Sequence, residues 1–121
     1  MLTDEVLYHF KNPQHQGSIE DAEIVASVVN PACGDTLKVY VKLDGDRITD
    51  AKYKIYGCAA AVAASSVVTG MLIGKTLSEI ESIKREQVSD ALGGLSPTHA
   101  HTAVLAEDAV KAILRTQREK S

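Results

Sequence analysis

The clearest indication of the fold is the segment of residues 36–56, which read TLKVYVKLDGDRITDAKYKIY. In its first half, apolar residues at the odd positions from Leu37 to Leu43 alternate with lysine and tyrosine, the period of a strand with one buried face. Asp44-Gly45-Asp46 then predicts a hairpin turn. Because the alternation resumes from Ile48 to Tyr56, the segment predicts two antiparallel strands, Thr36–Leu43 and Ile48–Tyr56.

Residues on either side of this hairpin predict a third strand and a buried helix. The β-branched residues of Ile24–Val29 predict a strand that ends at Asn30-Pro31. After Gly57 the period changes, and Cys58–Leu72 has the length of a helix, with small side chains that let other elements approach closely.

Other helices are predicted at both ends of the chain. They are Thr3–Phe10 with Thr3 as N-cap, a helix opened by a Thr76–Glu79 capping box, a short one over Glu86–Leu92, and a last helix with Leu105 and Ile113 on its apolar face. A run of strands followed by helices is typical of an α+β fold. We expect a single domain over residues 1–121: a three-stranded antiparallel sheet with helices packed on one face.

Composition excludes several functional classes. The net charge is −3, with no tryptophan and one phenylalanine, which argues against a nucleic-acid-binding protein. The uncharged stretch Ile55–Gly74 is rich in alanine and serine, so we expect a buried helix and no membrane span. Residues 1–5 lack the features of a signal peptide. We therefore expect a cytoplasmic, reducing location, where two cysteines indicate chemistry or metal binding more than a disulfide.

Three segments carry groups that could bind a metal. Cys33 lies in a tight loop, followed two residues later by Asp35, and Cys58 lies at a strand-to-helix junction, where unpaired helix amides favour the thiolate. His99 and His101 lie near the start of the last helix. Because residues two apart on a helix point about 200° apart, we expect one ligand at most from this pair. We hypothesise that these segments converge at one end of the sheet.

Each of these residues also has a purely structural interpretation. A lone cysteine is often a small buried hydrophobe, and an aspartate after glycine is often a turn former. No residue near His9 or His15 has metal-ligand spacing, so both are predicted to be surface or loop histidines.

Taken together, the motifs resemble the IscU/NifU N-terminal family of iron–sulfur cluster assembly scaffolds. The similarity runs through YHFKNP (residues 8–13), NPACGD (30–35), YGCAAAVAASS (56–66) and LAEDA (105–109). It implies a non-enzymatic scaffold or carrier on which a labile cluster, expected to be [2Fe-2S], is built and passed to acceptor apoproteins, with sulfur supplied by a cysteine desulfurase. Its ligands, carried over by position, would be Cys33, Asp35, Cys58 and His101, with Asp35 making the cluster labile.

The chain departs from the family pattern directly after the histidine. Thr102 stands where the family has a third cysteine, and the preceding chaperone-recognition stretch is altered to Leu95-Ser96-Pro97-Thr98-His99. Direct sulfur acceptance and chaperone docking are therefore open questions. The cluster would be held by the four residues above or shared between the two chains of a homodimer.

Three alternatives to the scaffold stay open. Cys33, Asp35, Cys58 and His101 also form a plausible tetrahedral zinc set, for a regulatory or structural role or for the cluster-free form. Cys58 could instead act as a nucleophile with His101 as its base. Lastly, both thiols could be buried and inert.

Overall fold

The sheet predicted from the sequence forms with its three strands in the order β1-β2-β3, all antiparallel. The computed structural model describes residues 3–30, 34–95 and 100–120. The elements in chain order are α1 (Asp4–Lys11), β1 (Ile24–Val29), β2 (Thr36–Asp44), β3 (Arg47–Tyr56), α2 (Ala59–Leu72), α3 (Leu77–Ile80), α4 (Arg85–Ala91) and α5 (Ala100–Lys120). The α+β prediction is confirmed.

The alternation of β2 and β3 divides the sheet into two faces. Val39 pairs with Ala26 on one side and Tyr53 on the other, and all three side chains are buried. Helices α2 and α5 cover this inner face, while the lysines that alternate with its residues lie on the outer face. Gly45 has φ of +66° at the hairpin turn, a conformation that glycine adopts without a steric penalty.

Helix α2 explains the long uncharged stretch. Its alanines and both serines are almost all buried, because small side chains let the helix lie close to β3, α1 and α5. The hydroxyls of Ser65 and Thr69 donate hydrogen bonds to backbone carbonyls one turn earlier, which satisfies them inside the core. Among the helices of the described residues, none combines the length and hydropathy that a bilayer span requires.

The predicted helix starts are present as capping interactions. Thr3 accepts a hydrogen bond from the Val6 amide, and Thr76 and Glu79 form the reciprocal capping box. Helix α4 is tied to α5 by Glu107, which accepts hydrogen bonds from the Arg85 backbone amide and guanidinium. This contact fixes the α4–α5 pair.

Candidate metal centre

Cys58 is the N-cap of α2, two residues after β3 ends at Tyr56. Its backbone is extended, with φ of −76° and ψ of 173°, and its carbonyl accepts the first helical hydrogen bond, from Val62. The thiol is free, exposed and makes no capping hydrogen bond. The alternative of a buried, inert thiol is therefore wrong for Cys58.

Asp35 lies directly before β2 and is only 7% exposed. The Asp35 carbonyl accepts a hydrogen bond from the Asn30 amide, and the Asn30 carbonyl accepts one from the Gly34 amide. One carboxylate oxygen, Oδ2, lies 4.0 Å from the Cys58 Sγ. Burial of a carboxylate costs free energy unless a partner compensates for the lost water. The Cys58 thiol is one such partner, since it can donate a weak hydrogen bond to the carboxylate.

His101 brings a nitrogen to the same place from the first turn of α5. Its Nε2 lies 3.6 Å from the Asp35 Oδ2, and its side chain is 32% exposed. The ligand atoms of Asp35, Cys58 and His101 all lie within 4.8 Å of one another. The structure thus brings together three of the four residues that the sequence singled out.

The fourth predicted ligand, Cys33, lies outside the described residues, as does His99. Asn30 and Gly34, which flank this gap, are hydrogen-bonded to each other. These two described residues therefore lie next to Asp35.

Gly57 is a site residue that the sequence analysis missed. A Cβ atom at this position would lie 2.8 Å from the Asp35 Cγ and 3.1 Å from the Ala61 Cβ. Glycine is therefore required here for the close approach of the Asp35 carboxylate to the end of β3. The signal was available in the sequence, as the glycine directly before Cys58.

Thr102, at the position of the family's third cysteine, is fully buried. His101 beside it is partly exposed, because successive residues on a helix point about 100° apart. The Thr102 hydroxyl thus faces the protein interior. Within the described ranges, the residues that could hold a metal here are Asp35, Cys58 and His101.

His9 differs from the surface histidine predicted. It is partly buried, and its Nδ1 lies 3.0 Å from the Ser66 Oγ, which also accepts a hydrogen bond from the Gln14 amide. Burial lowers the pKa of His9 from its usual 6.5. His9 therefore joins α1 to α2 and lies outside the Asp35–Cys58–His101 group.

Comparisons with known proteins identify the family of the chain. The family model of the NifU-like N-terminal domain matches residues 1–121. The chain is 47% identical to iron-sulfur cluster assembly scaffold protein IscU 1 of Archaeoglobus fulgidus, over 92% of this chain and 72% of that protein. It is 40% identical to the scaffold protein IscU of Azotobacter vinelandii, over 98% and 94% of the two chains.

A solved structure is similar over nearly the same span. The crystal structure of a NifU-like protein (N-terminal) from Brucella abortus matches with a TM-score of 0.77 and 25% identity, covering 98% of this chain and 94% of that one. The similarity therefore extends over both the sheet and the helices that carry the candidate site. The chain belongs to the NifU-like N-terminal domain family.

Proposed function

We propose that this protein is an iron–sulfur cluster assembly scaffold, which holds a labile cluster at an exposed site and transfers it to apoproteins. The observation that carries the proposal is the convergence of a thiol, a carboxylate and an imidazole within 4.8 Å at the exposed start of α2. The names of the relatives, as cluster assembly scaffold proteins, support it.

The ligand chemistry suits a carrier. Cys58 supplies a soft thiolate, which iron–sulfur clusters prefer, while Asp35 supplies a hard oxygen ligand that weakens retention. With Cys33 as a second thiolate and His101 as the fourth ligand, one chain has the number of ligands that a [2Fe-2S] cluster needs. If the cluster is shared, two chains of a homodimer contribute two thiolates each.

Sulfur delivery has to differ from the pattern with a third cysteine, because position 102 is a buried threonine. Sulfur from a cysteine desulfurase would be received at Cys33 or Cys58. Chaperone docking stays an open question, because the stretch from Leu95 to His99 departs from the family's recognition sequence.

The same donors favour a second candidate, a zinc site. A tetrahedral zinc ion holds its ligand atoms about 3.3–3.8 Å apart, so shifts of about 1 Å would close the present group around one ion. In that case the protein would be a regulatory or structural zinc protein. A cluster-free scaffold that binds zinc at this site would also contain the metal, so zinc content alone does not separate the two candidates.

Anaerobic reconstitution with ferrous iron and sulfide separates the two candidates. A scaffold yields a visible charge-transfer spectrum with matching iron and acid-labile sulfide, and Cys58→Ala loses it. A colourless protein that retains one zinc per chain under these conditions overturns the scaffold proposal. Thr102→Val is the matched control: it removes a hydroxyl beside His101, and because that hydroxyl is buried, the spectrum is expected to persist.

The enzyme alternative has a direct test as well. If Cys58 were a nucleophile activated by His101, iodoacetamide would alkylate it faster than free cysteine, and His101→Gln would abolish the difference. A rate equal to that of free cysteine removes this alternative. Measuring the unaltered protein and His101→Gln without metal keeps the test independent of cluster binding.

A further inference from the structure

The outer face of the sheet carries a concentration of positive charge in a protein of net charge −3. We call it the lysine face and define it by Lys38, Tyr40, Lys52, Lys54 and Tyr56. These residues alternate with the buried positions of β2 and β3. Lys38 and Lys54 are exposed.

Two of these lysines directly oppose each other. Lys38 of β2 is in register with Lys54 of β3, and Tyr40 with Lys52. Like charges at directly opposite positions destabilise an antiparallel pair. The Lys38 amine lies 5.5 Å from the centre of the Tyr40 ring, and among the described residues neither Lys38 nor Lys54 forms an ion pair.

The opposite end of the same sheet is arranged differently. Lys42 is paired with Asp21 at 2.9 Å and with Glu23 at 3.0 Å, and Asp50 is its cross-strand neighbour. Charge on this sheet is therefore neutralised far from the candidate metal centre. Near the centre, by contrast, Lys38 and Lys54 have no ion-pair partner among the described residues, although opposite charges at these two positions would stabilise the sheet.

The lysine face also contains exposed aromatic surface and is continuous with the metal centre. Tyr56 is 82% exposed, and it pairs with Thr36, the residue after Asp35. Together with Lys38 and Lys54 it lines a shallow groove. Tyrosine is enriched in protein–protein interfaces, and a groove with lysines on its sides suits a carboxylate-bearing chain.

We propose that the lysine face binds an acidic segment of a partner protein, one that contains carboxylates interspersed with apolar side chains. The inference rests on the proposed function in one respect: a protein that donates sulfur or receives the cluster must dock beside Cys58. Tyr56 lies two residues from Cys58, so a segment bound to this face lies alongside the site. The lysines attract the segment, and the tyrosines bury its apolar side chains.

The same observations argue against two other occupants. A second copy of the chain docked face to face would bring lysines against lysines. A nucleic acid would need basic residues spread along a longer path, whereas this positive charge is confined to one end of one sheet face. An acidic segment matches the limited extent of the charge.

The test uses a short synthetic peptide with glutamate and leucine at alternate positions, titrated into the ¹⁵N-labelled protein at low and high salt. We expect amide shifts concentrated on β2 and β3 near Lys38 and Lys54, with affinity that falls as salt rises. Lys54→Glu is expected to weaken binding about tenfold, yet to raise the melting temperature, because it converts a like-charged pair into an opposite pair. Lys38→Gln provides a second variant with a smaller charge change.

Lys75→Glu is the matched control, since it makes the same charge change at an exposed position outside the lysine face. Equal loss of binding in Lys75→Glu and Lys54→Glu, or shifts elsewhere on the protein, would overturn the inference. So would tighter binding of single-stranded RNA or of phosphatidylserine vesicles, or dimerisation through this face in sedimentation. Reconstitution with iron and sulfide needs no partner: if it succeeds in Lys54→Glu while peptide binding is unchanged, the docking inference alone has failed.

Discussion

Two nearly buried carboxylates, Glu107 on α5 and Asp35 beside the first turn of this helix, have different surroundings. Glu107 is 4% exposed and accepts hydrogen bonds from the Arg85 backbone amide and guanidinium, with Lys111 3.4 Å away. Asp35 is 7% exposed, and its carboxylate lies 4.0 Å from the Cys58 thiol and 3.6 Å from the His101 imidazole. Glu107 is thus satisfied within the fold, whereas Asp35 is grouped with two other side chains that could hold a metal ion. The difference supports a structural role for Glu107 and the proposed ligand role for Asp35.

The largest effect on stability is expected at Glu107. Glu107→Ala leaves the Arg85 backbone amide without its buried acceptor, which we expect to cost about 1–3 kcal/mol of unfolding free energy. Urea unfolding measures the loss. Because this contact lies outside the candidate centre, the folded variant is expected to reconstitute the same visible spectrum. A changed spectrum at unchanged stability would reverse the roles given to the two carboxylates.

The complementary change at Asp35 is expected to alter cluster retention. Asp35→Cys replaces a hard oxygen ligand with a soft thiolate, so the half-life of the bound cluster against a chelator should lengthen by about tenfold. Decay of the visible absorption measures it. The same half-life in Asp35→Cys and in the unaltered protein would show that this carboxylate does not bind the cluster.

Gly57 offers a second way to separate the two carboxylates, because of the two only Asp35 packs against this glycine. Gly57→Ala would place a Cβ 2.8 Å from the Asp35 Cγ, so we expect displacement of the carboxylate, a lower cluster yield and about 1 kcal/mol of destabilisation. Gly70→Ala, within α2, is the matched control. Its Cβ would make an ordinary contact of 3.8 Å with His15, and alanine favours the helix, so stability should hold or rise. Equal effects of the two substitutions would contradict a positioning role for Gly57.

The smallest effect is a pH dependence at Glu107. Burial alone would raise its pKa, but the hydrogen bonds from Arg85 and Lys111 outweigh burial and lower the pKa below its usual 4.5. The carboxylate therefore contributes stability above pH 4.5 that is lost as pH falls through its lower, folded-state pKa. Urea unfolding across this range should show a steeper acid loss in the unaltered protein than in Glu107→Gln. The same dependence of unfolding free energy on pH in both proteins would contradict this role of the Glu107 carboxylate.

Much of the fold was predictable because strand periodicity and helix capping are local signals. Alternation over 36–56 predicted both the hairpin and the face that is buried, and Thr3 and Thr76 predicted two helix starts. The position of Cys58 at the start of α2 followed from the change of period after Gly57.

The geometry of the centre was not predictable in this way, since it depends on how α5 packs against the sheet. No local signal shows that His101 reaches Asp35 across 66 positions while its neighbour Thr102 turns inward. The need for glycine at 57 comes from a tertiary contact with Asp35. For the same reason, the partly buried His9 was mistaken for a surface residue.

The most direct measurement is an anaerobic crystal structure of the cluster-loaded protein, with iron located by anomalous scattering. We predict iron within bonding distance of the Cys58 sulfur, an Asp35 oxygen and the His101 Nε2, with the Thr102 hydroxyl away from it. Iron bound elsewhere, or bound to Cys58 while Asp35 and His101 contact only each other, would contradict it.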